Sequence, residues 1–158
     1  MSTTATARIA VFPGTFDPIT VGHVSIVERA LPLFDRIIVG MGVNESKRTM
    51  FAVEQRLAWI RQAFAGEARV SAMAFEGLTV DLCRREGALY ILRGLRNSTD
   101  HGVERSIALM NRQLGGVETI FMPSAPEHAH ISSTIVRELI ANKADVRALV
   151  PMDLRTTT

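Results

Sequence analysis

The sequence predicts one α/β domain built on a five-stranded, doubly wound parallel sheet, and three observations carry that expectation. Five apolar runs of strand length recur along the 158 residues. They are nearly continuous rather than alternating, as strands buried on both faces are. Between them apolar residues recur at helical spacing, and no long linker, low-complexity tract or internal repeat interrupts the order. Strand followed by helix, five times over, implies right-handed crossovers in a single parallel sheet. The expected fold is therefore Rossmann-like, of the dinucleotide-binding type, as one domain over residues 1–158.

Taken in order, the first strand is "RIAVF" (8–12) and its helix carries Val24, Val27, Leu31 and Phe34. Pro32 lies inside that pattern and is expected to kink or end the helix. The second strand is "RIIVGMGV" (36–43), followed by Val53, Leu57, Ile60 and Phe64. "RVSAMAF" (69–75) and "ALYIL" (88–92) are the third and fourth strands, and Val103, Ile107, Met110 and Leu114 mark the helix after them. "ETIFM" (118–122) is the fifth strand, and a last helix is expected from about Thr134 to Ala141. Trp59 and Met110 are assigned to packing. Residues 1–7 and 154–158 read as polar, flexible tails.

Composition bounds the function. An apolar fraction of 47% with 22% charged residues is ordinary for a globular cytosolic protein. A formal charge of +2 is too small to suggest a nucleic-acid or membrane surface, but it allows a small anionic ligand if positive charge is focused locally. No basic, aromatic-laced stripe appears, which argues against a nucleic-acid-binding module. Cys83 has no partner for an internal disulfide, and one Cys with four scattered His builds no metal cluster. No stretch approaches a membrane span, and "MSTTATA" is unlike a signal peptide. The sequons at Asn44 and Asn97 are read as chance.

In an open parallel sheet the C-terminal strand ends share one edge, and ligands bind in the crevice there. After the first strand come Thr15, Phe16, Asp17 and, at a helix start, His23; after the second comes Lys47 in "NESKR". Thr79 follows the third, Arg93 and Arg96 the fourth, and "PSAPEHAHISST" the fifth. Basic or hydroxylated groups thus follow nearly every strand, and they imply an anion-binding crevice for several phosphates.

Each residue also has a plain structural reading. Gly14 suits a close approach, and Thr20 suits a helix N-cap. Lys47 alone is a solvated lysine, and Glu104 alone an exposed partner for Arg105 or Arg112. One of Ser132, Ser133 and Thr134 must cap the last helix, but three hydroxyls in succession suggest a phosphate cradle. Arg93 and Arg96 flank Gly94, and planar guanidinium forks suit phosphate. His23 is expected at a helix N-terminus, where the dipole favours anions and disfavours an imidazolium. A neutral ring there still donates one hydrogen bond.

With these residues in place, "GTFDPITVGH" resembles the T/H-x-G-H signature of the nucleotidyltransferase superfamily, and "ISSTIVRE" resembles its second signature. Together with "ESKRTMF", "LRGLR" and "MNR", the chain is similar to bacterial pantetheine-phosphate adenylyltransferases from about Arg8 to Pro151. The resemblance implies adenylyl transfer from ATP to 4′-phosphopantetheine, with Mg2+, giving dephospho-coenzyme A and pyrophosphate. It also implies a cytoplasmic homohexamer. Thr15, His23, Lys47 and Arg96 would be catalytic, with His23 stabilising the transition state. Thr15, Lys47, Thr79 and Arg93 would bind the pantetheine substrate. ATP would lie on Thr15, Phe16, His23, Gly94, Leu95, Arg96, Glu104, His128, Ala129, His130, Ile131, Ser132, Ser133 and Thr134.

The chain departs from that pattern at Val21, at Asp100-His101-Gly102-Val103-Glu104 where two aromatics are lost, and at His128-Ala129-His130 where imidazoles replace larger rings. Ala52 replaces a usual Ser/Thr helix cap. Two rivals stay within the superfamily. Nicotinamide-mononucleotide adenylyltransferases usually carry a second His where this chain has Thr20, and glycerol-phosphate cytidylyltransferases would prefer CTP. A non-catalytic nucleotide sensor on the same fold is the rival from a different class.

Overall fold

A computed structural model describes residues 5–154. The expected tails at 1–4 and 155–158 lie outside the described residues; Leu154, expected in a tail, packs against the core. The strands are β1 (Ile9–Gly14), β2 (Arg36–Gly42), β3 (Val70–Phe75), β4 (Tyr90–Leu95) and β5 (Glu118–Pro123). The helices are α1 (Val21–Ala30), α2 (Val53–Ala63), α3 (Thr79–Glu86), α4 (Ser98–Gly115) and α5 (Ser133–Ala141). All strand pairs are parallel, in the order β3-β2-β1-β4-β5. The α/β, doubly wound expectation holds.

Helices cover both faces, as the continuous apolar strands require. On one face Ile26, Val27, Trp59, Ile60 and Val136 from α1, α2 and α5 pack on Ala10, Phe12, Ile37 and Val39. On the other, Val80, Leu82 and Cys83 of α3 pack on Val11, Ile38 and Ile91. Such side chains each contribute about 1.5–3 kcal/mol on burial. α1 ends at Ala30, and Pro32 sits in a 3-10 turn over Leu31–Leu33, as a ring without an N–H dictates.

The strand–helix order implied a helix between the third and fourth strands although no repeat marks it; it is α3, only eight residues long and ended by Gly87, whose φ of 68° is left-handed. One expectation needs correction: Met110, assigned to packing, shares with Val103, Ile107 and Leu114 a face of α4 that is 47–65% exposed, and the helix buries none of its residues. Helical periodicity says which residues share a face, and nothing about what covers that face. Trp59 is packed as expected, at 1% exposure; Met110 is not.

The sheet opens where its strand order reverses. β1 pairs with β2 from Ile9 to Gly14, but with β4 only at Ala10–Tyr90 and Val11–Ile91. Beyond those pairs the two strands part. The carbonyl of Pro13 at the parting accepts a hydrogen bond from Arg93 Nη1 at 2.7 Å. This gap is the crevice that the topology demands.

Candidate active site

The loop from β1 to α1 is built around His23. Thr20 is the N-cap of α1, in extended backbone, and His23 is its third helical residue. The His23 N–H donates to Thr20 Oγ1 (3.4 Å), and the Thr20 N–H donates to His23 Nδ1 (3.0 Å), a reciprocal capping box. A ring nitrogen that accepts from a main-chain amide carries no proton. The neutral imidazole therefore holds its hydrogen on Nε2. Burial, then the charges of Arg93 and Arg96, push the His23 pKa down to about 4, so the ring is neutral at pH 7.

The ring is held edge-on by Phe16 (centroids 5.0 Å) and by Phe12 (6.2 Å). Phe16 is 3% exposed and has a left-handed φ of 49°. A Cβ on Gly14 would lie 2.9 Å from the Phe16 ring, so the close approach expected at Gly14 is real.

Lys47, from the loop after β2, donates to Thr15 Oγ1 at 3.0 Å. Arg93 of β4 donates through Nε (2.9 Å) and Nη2 (2.6 Å) to Glu104 of α4. The simple reading of Glu104 as an exposed partner of Arg105 or Arg112 therefore fails. Its side chain is 14% exposed and takes the Arg93 fork, while Arg112 pairs with Glu118 (3.0 Å). Arg96 pairs with Asp100 (3.3 Å), whose N–H is capped by Asn97.

The three hydroxyls before α5 have separate tasks. Ser132 Oγ caps the helix by accepting from the Ile135 N–H (3.2 Å). Ser133 Oγ donates to the carbonyl of Pro18 (2.8 Å), and Thr134 Oγ1 accepts from Arg137 (3.2 Å). The segment before α5 is thus tied to the first loop. Arg137 also donates to the carbonyl of Asp17 (2.9 Å).

These groups surround a cavity of about 370 Å³ at the parting of β1 and β4. Its walls include Thr15, Phe16, His23, Lys47, Arg93, Gly94, Arg96, Glu104, His128, Ile131, Ser132, Ser133 and Thr134. Leu95, Ala129 and His130 are not on its walls. The carbonyl of Leu95 accepts from the Ser124 N–H (2.7 Å), and His130 is exposed. Thr79, the first residue of α3, lines a second cavity of similar size with Phe75, Ile107 and Asn111. The two cavities adjoin, sharing Thr15, Arg93 and Glu104. His128 Nδ1 is buried without a hydrogen-bond partner among the described residues.

Sequence reasoning missed Arg48, Asp100, Ser124 and Arg137 on the walls. Arg137 had a usable signal. It stands three residues after Thr134 on α5, and residues so spaced share a helix face. In all, Lys47, Arg48, Arg93, Arg96 and Arg137 face three carboxylates, so the cavity is net positive and fit for a polyphosphate. Those carboxylates, Asp17, Asp100 and Glu104, are engaged by main-chain amides or guanidinium groups. Among the described residues no group of three or more His, Cys, Asp and Glu is placed to hold a metal ion. The donor set does not fit a protein-held Mg2+. Cys83 is no nucleophile, because it is buried in the second core and its thiol is pushed up to about 11 by burial.

Comparison with known proteins places the chain in a family. The chain matches the cytidylyltransferase-like family over residues 11–139. A phosphopantetheine adenylyltransferase of Flavobacterium psychrophilum is 49% identical over 148 residues, covering 94% of this chain and 98% of that protein. The protein of that name in Flavobacterium johnsoniae is 45% identical over 148 residues, covering 94% and 97%. Among solved structures, a bifunctional NMN adenylyltransferase/ADP ribose pyrophosphatase of Francisella tularensis superposes with a TM-score of 0.72. It is 17% identical, covering 92% of this chain and 45% of that one, so the likeness concerns the fold alone. Near-full-length identity at this level, on a cavity of this chemistry, makes the chain a member of the phosphopantetheine adenylyltransferase family of nucleotidyltransferases.

Proposed function

We propose that the chain transfers the adenylyl group of ATP to 4′-phosphopantetheine, giving dephospho-coenzyme A and pyrophosphate. The observation that carries this reading is the convergence of neutral His23, the Thr15–Lys47 pair and Arg96 on one cavity. An oxygen of the pantetheine phosphate attacks the α-phosphorus. The bond from that phosphorus to the oxygen bridging to the β-phosphate breaks, and pyrophosphate leaves with the electron pair. Both reactants are anions, so the protein's task is to cancel repulsion and to hold the two oxygens in line.

Each site group then has one role. Lys47 and Thr15 hold the attacking phosphate against the α-phosphate. The Nε2–H of His23 donates to charge that builds on the α-phosphoryl oxygens, from a ring that cannot drift because Thr20 fixes it. Arg96, on the β4 side, meets the charge of the departing pyrophosphate. Gly94, Glu104 and the 128–134 segment form the nucleotide side, where His128 Nδ1 has unused hydrogen-bonding capacity. The second cavity, with Thr79 and Arg93, takes the pantetheine arm. Mg2+ would come with ATP and would offset charge on its phosphates, with no residue of this chain assigned as its ligand.

The exposed apolar face of α4 supports assembly into a homo-oligomer, a homohexamer by family resemblance. Among the described residues no helix is long and apolar enough to cross a membrane; the proposed setting is the cytoplasm. The experiment is incubation with ATP, Mg2+ and 4′-phosphopantetheine, followed by mass detection of dephospho-coenzyme A. Pyrophosphate release with nicotinamide mononucleotide or with CTP and glycerol phosphate instead would favour the superfamily rivals. Tight ATP binding without product would favour a sensor.

A further inference from the structure

We propose that Arg56 is a positioning residue that holds the Thr15–Lys47 pair in place from behind the cavity. The inference rests on the adenylyl-transfer reading above. Arg56 lies in the first turn of α2 and is 2% exposed. Its Nη1 donates to the carbonyl of Thr15 at 2.7 Å and its Nε to the carbonyl of Phe51 at 3.1 Å. One planar fork therefore joins the loop after β1 to the loop after β2.

Asp17 makes the same junction with opposite polarity. Its carboxylate, 3% exposed on a whole-residue basis, accepts from the main-chain N–H groups of Met50 (2.8 Å) and Phe51 (3.0 Å). Thr15 and Lys47 meet at 3.0 Å only because these two loops lie side by side. Burying a guanidinium is costly unless its N–H groups are satisfied, and an apolar side chain of similar volume fills such a place more cheaply. Among the described residues Arg56 has no carboxylate within ion-pair distance, and its acceptors are main-chain carbonyls. What the fork secures is the height of the Thr15 backbone, and with it the hydroxyl that Lys47 reaches. A lysine at 56 keeps the charge but cannot fork.

A double-mutant cycle tests this on the full-length chain. Arg56→Lys, Lys47→Ala and the double variant are compared in dephospho-coenzyme A formation and in calorimetric binding of inorganic phosphate, the probe for the Thr15–Lys47 side of the cavity. Arg56→Lys alone is expected to lower turnover by about tenfold to a hundredfold, the scale of a small misplacement of reacting groups. In the Lys47→Ala background it should cost less than about twofold, because its target is already gone. A purely structural role gives losses that multiply in both backgrounds, and that result overturns the proposal. Arg8→Lys, at an exposed pair with Asp35, serves as the unaffected control. If Arg56→Lys fails to fold, Arg56→Gln supplies the same cycle. Coupling seen in phosphate binding by a wild type without turnover would sink the reaction assigned above and still support the positioning role. Normal wild-type turnover with multiplying losses would sink the positioning role alone.

Discussion

The main-chain N–H of Thr20 donates to Nδ1 of His23 at 3.0 Å, so the same turn that caps α1 also sets the tautomer of the ring in the cavity. His23→Ala removes a donor aimed at developing charge. Turnover should fall by about 10²–10³, or roughly 3–4 kcal/mol, with a much smaller change in ATP affinity. Steady-state kinetics alongside calorimetry check the split, and unchanged turnover would remove His23 from the mechanism.

Acid should destabilise the fold through the same ring. The folded pKa is about 4, below the ordinary 6.5, so between those values the unfolded chain binds the proton more readily. Stability from His23 is then complete above pH 6.5 and declines as pH falls toward 4, by on the order of 3 kcal/mol. Urea unfolding of the wild type and of His23→Gln from pH 7 to 4 measures it. The wild type should lose more stability than the variant, and parallel curves would contradict the shift.

α2 begins without a cap. Ala52 sits at the N-cap in extended backbone, φ −62° and ψ 154°, with no side-chain hydrogen bond. Ala52→Ser supplies an oxygen for a free N–H at that helix start and should stabilise the protein by about 1 kcal/mol. Denaturant midpoints at constant m-value report the gain.

The uncovered face of α4 gives a prediction about assembly. Light scattering should find a mass well above the 17.3 kDa of one chain. Ile107→Glu with Met110→Glu places two charges on that face, and should shift the mass toward the monomer. A wild type that runs as a monomer would leave α4 without its proposed partner.

Much of this site is legible in the sequence, for physical reasons that differ between residues. The strands announce themselves because both faces are buried, and Thr15, His23, Lys47 and Arg96 follow because parallel topology brings strand ends to one edge. β4 was harder, since Arg93 and Gly94 continue the strand without looking apolar. α3 was too short for its period to stand out. Glu104 looked like a surface residue because its partner, Arg93, is eleven positions away on another element. Arg56 resembles any exposed helix arginine until its two acceptors are seen. Side-chain partners that span loops leave no period to read.

The parting of β1 from β4 means that the two half-sheets meet along a seam of just two registered pairs. Thr15 and Lys47 ride on one half, and Arg93 and Arg96 on the other. The tilt between the halves therefore sets the separation of attacking and departing groups. A Cβ at Gly94 would lie 3.2 Å from Ile26, so even a methyl group there presses on the wedge between them. A substitution at this seam therefore acts on reactivity through the angle between the half-sheets as well as through the cavity wall it alters.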